Sequence, residues 1–127
     1  MSILFLTLSE VLALHKDEIL HYGGAYGVRS KELPISALAQ PPASFSGQYL
    51  HKDLFEIGSA YLFHICQNHP FIDGNKRTAL AATLMFFLIN GIEIKVDSDL
   101  LADMVIKVAR GKMKKKSISA WFYKYSK

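Results

Sequence analysis

Two long apolar segments dominate the pattern of hydrophobic and polar positions along this 127-residue chain. In residues 54–68, apolar side chains cover nearly the whole circumference of a helix, and Asp53 is predicted to cap it. A second helix of the same kind is predicted from about Asn75 to Asn90, where Gly91 ends it. Both helices are therefore expected to be central and buried.

Shorter patterns predict the elements that come before this pair. Thr7 and Glu10 form a T-x-x-E capping box that opens a first helix, and Gly23-Gly24 ends that helix. One or two helical turns are predicted over residues 35–40. Turn residues interleaved with aromatic residues then predict a short hairpin or flap over residues 44–52.

Two further helices are predicted after the central pair. Ser98 is expected to cap the first, which reaches Gly111, and Ser117 is expected to cap the last. The full pattern predicts an all-α bundle of five to seven helices with one flap. Because no linker divides the chain, we expect a single domain over residues 1–127.

Composition restricts the class of protein. Half of the residues are hydrophobic, which is enough for a real core, and the single cysteine, Cys66, excludes a disulfide framework and a cysteine-based zinc site. The N-terminus lacks the features of a signal peptide, and the apolar run of residues 79–89 is too short to span a membrane. We therefore expect a cytoplasmic protein without a membrane partner.

The basic residues are concentrated at the C-terminus. From Lys107 onward there are eight Lys or Arg residues and no acidic ones, whereas the first 106 residues have a net charge of −4. Such a tail suits an acidic partner, such as RNA through weak contacts or an acidic protein. A solvated, lysine-rich helix end explains the same pattern equally well.

The candidate chemistry lies in HPFIDGNKR, residues 69–77, at the junction of the two buried helices. The free N–H groups and the positive dipole end of the second helix point into this loop, and Gly74 lets the backbone approach a bound anion. Lys76 and Arg77 lie where the dipole disfavours cations, which makes sense if a nucleotide phosphate binds there. Packing alone requires none of these residues.

The other polar residues of the loop complete a reaction set. Asp73 offers oxygen ligands of the kind that Mg²⁺ accepts beside phosphates, and His69 can accept a proton from an attacking hydroxyl. The set predicts phosphoryl or nucleotidyl transfer. A structural interpretation stays open, in which Asp73 or Asn75 simply caps the helix and the backbone satisfies His69.

Two other side chains have both a functional and a structural interpretation. His64 either joins His69 and Asp73 in a metal site or lies at the edge of the core; the spacing does not put both histidines on one helix face. Arg29 either reaches an acidic group near the loop or forms a structural pair.

The loop and its flanks resemble the Fic/Doc family. HPFIDGNKR is similar to the Fic signature H-P-F-x-x-G-N-G-R and closest to the Doc, or death-on-curing, toxin branch. GAYGVRSKELPISALAQPPASFSG and NKRTALAATLMFFLINGIEI resemble the segments before and after the Doc motif. The resemblance covers most of the chain and implies a bundle of six or seven helices with a flap, here near residues 44–52, that holds the target segment.

Carried over by position, the resemblance implies a catalytic set of His69, Asp73, Lys76 and Arg77. His69 would be the base and Asp73 the Mg²⁺ ligand, while Phe71 would anchor the loop in the core. ATP, the implied co-substrate, would have its phosphates bound by the run of residues Gly74, Asn75, Lys76 and Arg77.

Two positions separate the Doc branch from the Fic branch. Lys76 replaces the glycine of the Fic signature, and Leu80 stands where that branch often has a second arginine. The lysine is typical of the Doc branch, for which the implied reaction is transfer of the γ-phosphate of Mg·ATP to a protein hydroxyl on elongation factor Tu, which arrests translation. Transfer of AMP to a protein hydroxyl and a non-catalytic binding module remain alternatives.

The resemblance also bears on regulation. Fic-type enzymes are often restrained by a glutamate in an S/T-x-x-x-E-G/N helix, and no glutamate of this chain is followed by Gly or Asn. The resemblance therefore implies that a separate antitoxin controls the protein.

Overall fold

The computed structural model describes residues 2–126; Met1 and Lys127, the ends of the predicted domain, lie outside the described residues. Six helices and one two-stranded hairpin follow one another along the chain. They are α1 (Leu8–Tyr22), α2 (Glu32–Ala39), β1 (Ser44–Phe45), β2 (Gln48–Tyr49), α3 (Leu54–Asn68), α4 (Asn75–Ile89), α5 (Ser98–Ala109) and α6 (Lys115–Lys124). The predicted all-α bundle of six to seven helices with a short hairpin is confirmed.

The helices α3 and α4 form the centre of the bundle, as predicted. Helix α3 packs against α2, α4, α5 and α6, and α1 covers another face of α4. Their aromatic rings fill the core: the Tyr61 and Phe86 ring centroids lie 5.0 Å apart, as do those of Phe87 and Phe122. Within residues 2–126, no helix is both long enough and apolar enough to cross a membrane.

Three of the predicted helix ends are confirmed with their hydrogen bonds. The Thr7 hydroxyl accepts from the Glu10 N–H at 3.1 Å, and the Glu10 carboxylate accepts from the Thr7 N–H at 2.8 Å. The Asp53 carboxylate accepts from the Glu56 N–H at 2.8 Å and caps α3. Gly91, with φ of 85°, follows the last turn of α4.

Three other boundaries were predicted wrongly. Helix α2 begins at Glu32 because Pro34 lies in its first turn, where a missing N–H removes no helical hydrogen bond. Asp97, not Ser98, caps α5 by accepting from the Asp99 N–H. Helix α6 begins at Lys115, so Ser117 is inside its first turn and is not the cap.

The hairpin forms where it was predicted, but it lies far from the loop of residues 69–74. Its turn has positive φ at Ser46 (53°) and Gly47 (77°), as a two-residue hairpin turn requires. The Tyr49 ring packs 5.6 Å from Phe5, which itself packs 6.0 Å from Phe86 near the C-terminal end of α4. The hairpin therefore lies at the start of α3, and the 15 residues of α3, about 22 Å long, separate it from His69.

A single glycine allows the closest packing between the central helices. Gly58 lies in the middle of α3, and a Cβ atom there would overlap the ring of Phe87, which is fully buried. We expect Gly58→Ala to lower the free energy of unfolding by about 2 kcal/mol, because the overlap outweighs the better helix propensity of alanine. Urea denaturation of Gly58→Ala, Phe87→Leu and the double variant would measure this, and a destabilisation that Phe87→Leu fails to relieve would contradict it.

Lys115 of α6 contacts two histidines, one on α3 and one just before it. The Lys115 ammonium lies 3.3 Å from the His51 Nε2 atom and 3.0 Å from the His64 Nε2 atom. Burial, together with the Lys115 charge, lowers the pKa of His51 and lowers that of His64 to about 4; burial also lowers the pKa of Lys115. His64 is thus at the edge of the core, and Lys115 of the basic tail is turned inward toward it.

This cluster makes stability depend on pH. Because the pKa of His64 is about 4 in the folded protein and about 6.5 for an unperturbed histidine, the unfolded state binds the extra proton as the pH falls below about 6.5. We expect the free energy of unfolding to drop between pH 7.5 and 5.5 by an amount on the order of 1 kcal/mol, after allowance for the half-exposed position. Urea denaturation at both pH values should show a smaller drop in the free energy of unfolding for His64→Asn than for the wild type. An equal drop in the two proteins would mean that another group causes the pH dependence.

Candidate active site

The loop between α3 and α4 turns the chain back within six residues. His69 ends α3 in the left-handed conformation, with φ of 50° and ψ of 56°, and Gly74 precedes α4 with φ of 76°. The left-handed region is uncommon for residues with a side chain, although His, Asn and Asp enter it more readily than most. The side chain of His69 is exposed beside this turn.

Asn75 closes the loop from inside. Its side-chain amide donates to the Phe71 carbonyl at 2.9 Å and accepts from the Phe71 N–H at the same distance. Asn75 and Phe71 are both buried. Both polar ends of the Asn75 side chain therefore hold the loop in shape, and only its backbone N–H remains for the N-terminus of α4.

The N-terminus of α4 has no side-chain cap among residues 2–126. The first backbone hydrogen bond at this end runs from the Thr78 N–H to the Gly74 carbonyl at 2.9 Å. The N–H groups of the preceding residues point out of the helix, together with its positive dipole end. This is the geometry that the sequence predicted for anion binding.

His15 supports the loop from α1 and was missed in the sequence. Its ring stacks on Phe71 with centroids 3.8 Å apart and an angle of 9° between the planes, and its Nε2 atom lies 2.8 Å from the Asp73 carbonyl. Since a carbonyl only accepts, Nε2 is the protonated nitrogen. The one available signal was that His15 follows the buried Val11 by four residues on the same face of α1.

The segment after α1 pairs with the loop like a short strand. The Ile72 N–H donates to the Gly27 carbonyl at 2.9 Å, and the Arg29 N–H donates to the Pro70 carbonyl at 2.8 Å. The Asp73 carboxylate accepts from the Ala25 N–H at 2.8 Å. Residues 25–29, rather than the hairpin, therefore lie beside the motif.

The side chain of Arg29 forms a structural contact, one of its two predicted alternatives. Its Nε atom donates to the His69 carbonyl at 2.6 Å, and its Nη2 atom donates to the Asn68 carbonyl at 3.1 Å. These carbonyls belong to the C-terminal end of α3, where a cation is favourable. Arg29 thus fixes the backbone of His69 and does not contact an acidic group.

The two cations of the motif make different contacts, although both line the hollow beside Leu80. Lys76 lines a cavity of about 380 Å³ together with His69 and five other residues: Cys66, Asn75, Ile106, Ala109 and Arg110. The Arg77 guanidinium instead donates to the Gly23 carbonyl at 3.0 Å and lies 5.7 Å from the ring centre of Tyr22. His69 and Lys76 are therefore brought together, whereas Arg77 reaches the C-terminal end of α1.

The cysteine at this cavity is held as a thiol. Burial raises the pKa of Cys66 to about 12, although the nearby Lys76 charge acts in the opposite direction. A thiol with so high a pKa is a poor nucleophile near neutral pH. Cys66 is therefore a packing residue of the core at the edge of this cavity.

Asp73 has the donor chemistry that a magnesium ion beside phosphates requires. One of its two carboxylate oxygens accepts from the Ala25 N–H, and a carboxylate has lone pairs left for a further ligand. The side chain is exposed, close to the N-terminus of α4. The alternative metal site with His64 is wrong, because His64 faces Lys115, and within residues 2–126 no group of three or more His, Cys, Asp or Glu side chains could hold a metal ion.

Comparison with known proteins identifies the family of the chain. The sequence model of the Fic/DOC family matches residues 5–87, which include the whole motif, all of α3 and α4 up to Phe87. The chain belongs to the Fic/Doc family. The resemblance inferred from HPFIDGNKR is thereby confirmed, and the Fic/Doc motif is the loop described above.

Two named relatives in this family come from the Doc branch. "Protein kinase doc" of Escherichia phage P1 is 34% identical over 110 residues, which cover 87% of this chain and 86% of the relative. "Toxin Doc" of Mycolicibacterium smegmatis (strain ATCC 700084 / mc(2)155) is 38% identical over 78 residues, which cover 61% of this chain and 60% of the relative. Within the Fic/Doc family, the chain is thus similar to proteins named as a kinase and as a toxin.

Proposed function

We propose that this protein is a Doc-type toxin that transfers a phosphoryl group from Mg·ATP to a protein hydroxyl, with elongation factor Tu as the target and arrest of translation as the result. The observation that carries the proposal is the joint position of His69 and Lys76 on one cavity, at a helix N-terminus without a side-chain cap. The names of the two relatives, a protein kinase and a toxin, support the same reaction class.

In this proposal, His69 is the general base. An imidazole nitrogen would take the proton from the target hydroxyl as its oxygen bonds to the γ-phosphorus, while the bond from that phosphorus to the β–γ bridging oxygen breaks and ADP leaves. The imidazole then releases the proton to solvent. The contacts of Arg29 with the His69 and Asn68 carbonyls hold the backbone of this turn, so that the imidazole starts from a defined position.

Lys76 and the N-terminus of α4 provide the electrostatic part of the proposed reaction. The N–H groups of Gly74, Asn75, Lys76 and Arg77 form a cradle for phosphate oxygens, and the Lys76 ammonium adds a full charge. Arg77 contributes positive potential from its position beside Gly23. Mg·ATP, when bound, would supply the phosphoryl group and a divalent charge beside the phosphates, with Asp73 as the protein ligand of the metal.

Position 76 favours phosphoryl transfer over AMP transfer in this proposal. The Fic signature has a glycine at the position of Lys76, and a lysine side chain occupies space beside the cradle that the glycine would leave open. A nucleotide that enters with its terminal phosphate toward His69 places the γ-phosphate, rather than the α-phosphate, next to the base.

The proposed setting is the bacterial cytoplasm, where elongation factor Tu is present, with a cognate antitoxin as the controlling partner. Because the chain lacks a glutamate followed by Gly or Asn, restraint by the internal helix known from Fic-type enzymes has no counterpart in its sequence. Weak RNA contact through the basic C-terminal residues stays a prediction, with Lys115 already turned toward His51 and His64.

The proposal can be tested with purified elongation factor Tu and Mg·ATP labelled on either the α- or the γ-phosphate. We expect label from the γ-position only, and a gain of one phosphate on the target by mass spectrometry. A gain of AMP would assign the protein to adenylylation. If neither product forms and expression does not arrest growth, the protein is a non-catalytic binding module.

A further inference from the structure

The cavity that contains His69 and the Lys76 cation has a second cation from a different part of the chain. Arg110 lines it from the C-terminal end of α5, and among the lining residues that the structure describes there is no carboxylate. The lining therefore combines an imidazole, an ammonium and a guanidinium without compensating negative charge. Such a set binds an anion with several oxygens better than a neutral ligand.

We propose that Arg110 binds the phosphate chain of the nucleotide and supplies the cation that the Fic/Doc motif of this chain lacks at Leu80. This inference rests on the proposed function of the same cavity. It assigns to α5 a direct role in nucleotide binding, whereas the motif residues all come from the α3–α4 junction.

The surroundings of Leu80 place α5 next to the position where the Fic branch often has its second arginine. Leu80 lines a hollow between α4 and α5 whose exposed surface is almost entirely apolar, together with Lys76, Arg77, Ala102, Val105 and Ile106. Ile106 lines both this hollow and the cavity, and Arg110 follows Ile106 by four residues, so that it lies one turn further along the same side of α5. The place of the second arginine of the Fic branch is therefore apolar. Because the Arg77 guanidinium donates to the Gly23 carbonyl, Arg110 is the guanidinium that lines the cavity of His69 and Lys76.

Arg110 is also available for a ligand. Its backbone N–H donates to the Ile106 carbonyl at 3.0 Å, which fixes the end of α5, and its side chain is exposed at the cavity. Among residues 2–126, the side-chain ion pairs are His21–Asp17 and Lys95–Glu93, and neither involves Arg110. A guanidinium presents two N–H donors side by side in a fixed plane to two phosphate oxygens, whereas the Lys76 ammonium acts as a point charge with rotatable donors.

Lys107 provides a matched control for the stabilising effect of a cation on the C-terminal end of α5. Both residues are exposed and lie at the C-terminal end of α5, where positive charge is favourable to the helix dipole. Lys107, however, lies with Met113 and Trp121 on a different surface. Lys107→Ala removes the same charge from the same helix end without changing the cavity.

The test is equilibrium binding of Mg²⁺ with a non-hydrolysable ATP analogue, measured by titration calorimetry on the full chain. We expect Arg110→Ala to raise Kd about 10-fold, Arg110→Lys to recover part of the loss, and Lys107→Ala to stay within about 2-fold of the wild type. Binding of AMP should change much less in Arg110→Ala, because AMP has a single phosphate. Thermal unfolding of the two alanine variants should agree.

Several outcomes would overturn the inference. If the wild type binds the analogue and Arg110→Ala binds it as well as Lys107→Ala does, Arg110 has no part in binding, while the proposed function stands. If the wild type does not bind the analogue at all, the proposed function fails and this inference fails with it. A loss for AMP as large as that for the ATP analogue would show that Arg110 acts on the shape of the cavity and not on the phosphate chain.

Discussion

His69→Asn is expected to reduce phosphoryl transfer to the target protein about 10³-fold, because the variant has no side chain that can accept the proton of the attacking hydroxyl. Asparagine is the suitable replacement, since His69 has φ of 50° and asparagine enters the left-handed region more readily than alanine. The measurement is the initial rate of γ-phosphate transfer, together with growth after induced expression.

A second histidine variant controls for the loss of an imidazole in general. His21 is exposed near the end of α1 and pairs with Asp17 at 3.2 Å, outside the cavity. We expect His21→Asn to transfer phosphate at the rate of the wild type. A His69→Asn protein that is folded and retains more than a third of the wild-type rate would mean that His69 is not the base.

Asp73→Asn is expected to lower the transfer rate about 10²-fold and to raise the concentration of Mg²⁺ needed for half-maximal rate. An asparagine amide oxygen can still accept from the Ala25 N–H, so the contact between the loop and residues 25–29 is retained while the charge that would hold the metal is lost. The measurement is the rate of transfer over a Mg²⁺ titration.

Two other variants separate the metal role of Asp73 from its structural role. Asp73→Ala loses both the charge and the bond to Ala25, so we expect it to be less active and less stable than Asp73→Asn. Asp17→Asn removes an exposed carboxylate from α1 and should leave the Mg²⁺ dependence unchanged. If Asp73→Asn shows the same Mg²⁺ dependence as the wild type, Asp73 is not the metal ligand.

The elements that the sequence predicted correctly are those with local signals. The Thr7–Glu10 capping box, the Asp53 cap and the Gly91 stop each depend on residues within about one helical turn of one another. The errors at the other helix ends have local causes as well. Asp97 and Ser98 are both good caps and are adjacent, so the pattern could not decide between them.

The supports of the candidate site could not be predicted in this way. His15 is 58 residues from Asp73, and Ala25 is 48 residues from it, so no periodicity relates the partners. The sequence of the motif likewise does not predict that Arg77 donates to the Gly23 carbonyl, or that both ends of the Asn75 side-chain amide are hydrogen-bonded to Phe71. The local sequence pattern located the candidate reactive residues, whereas the residues that hold them in place could be identified only from the tertiary structure.

One wall of the cavity is built from residues 106–110, late in the chain. During translation, His69 and Lys76 are therefore synthesised before the segment that encloses them. Since the chain is made from the amino end onward, the incomplete chain has an open half-site between the synthesis of residue 77 and that of residues 106–110. For a protein proposed to arrest protein synthesis, this order of assembly postpones full nucleotide binding until residue 110 has been made.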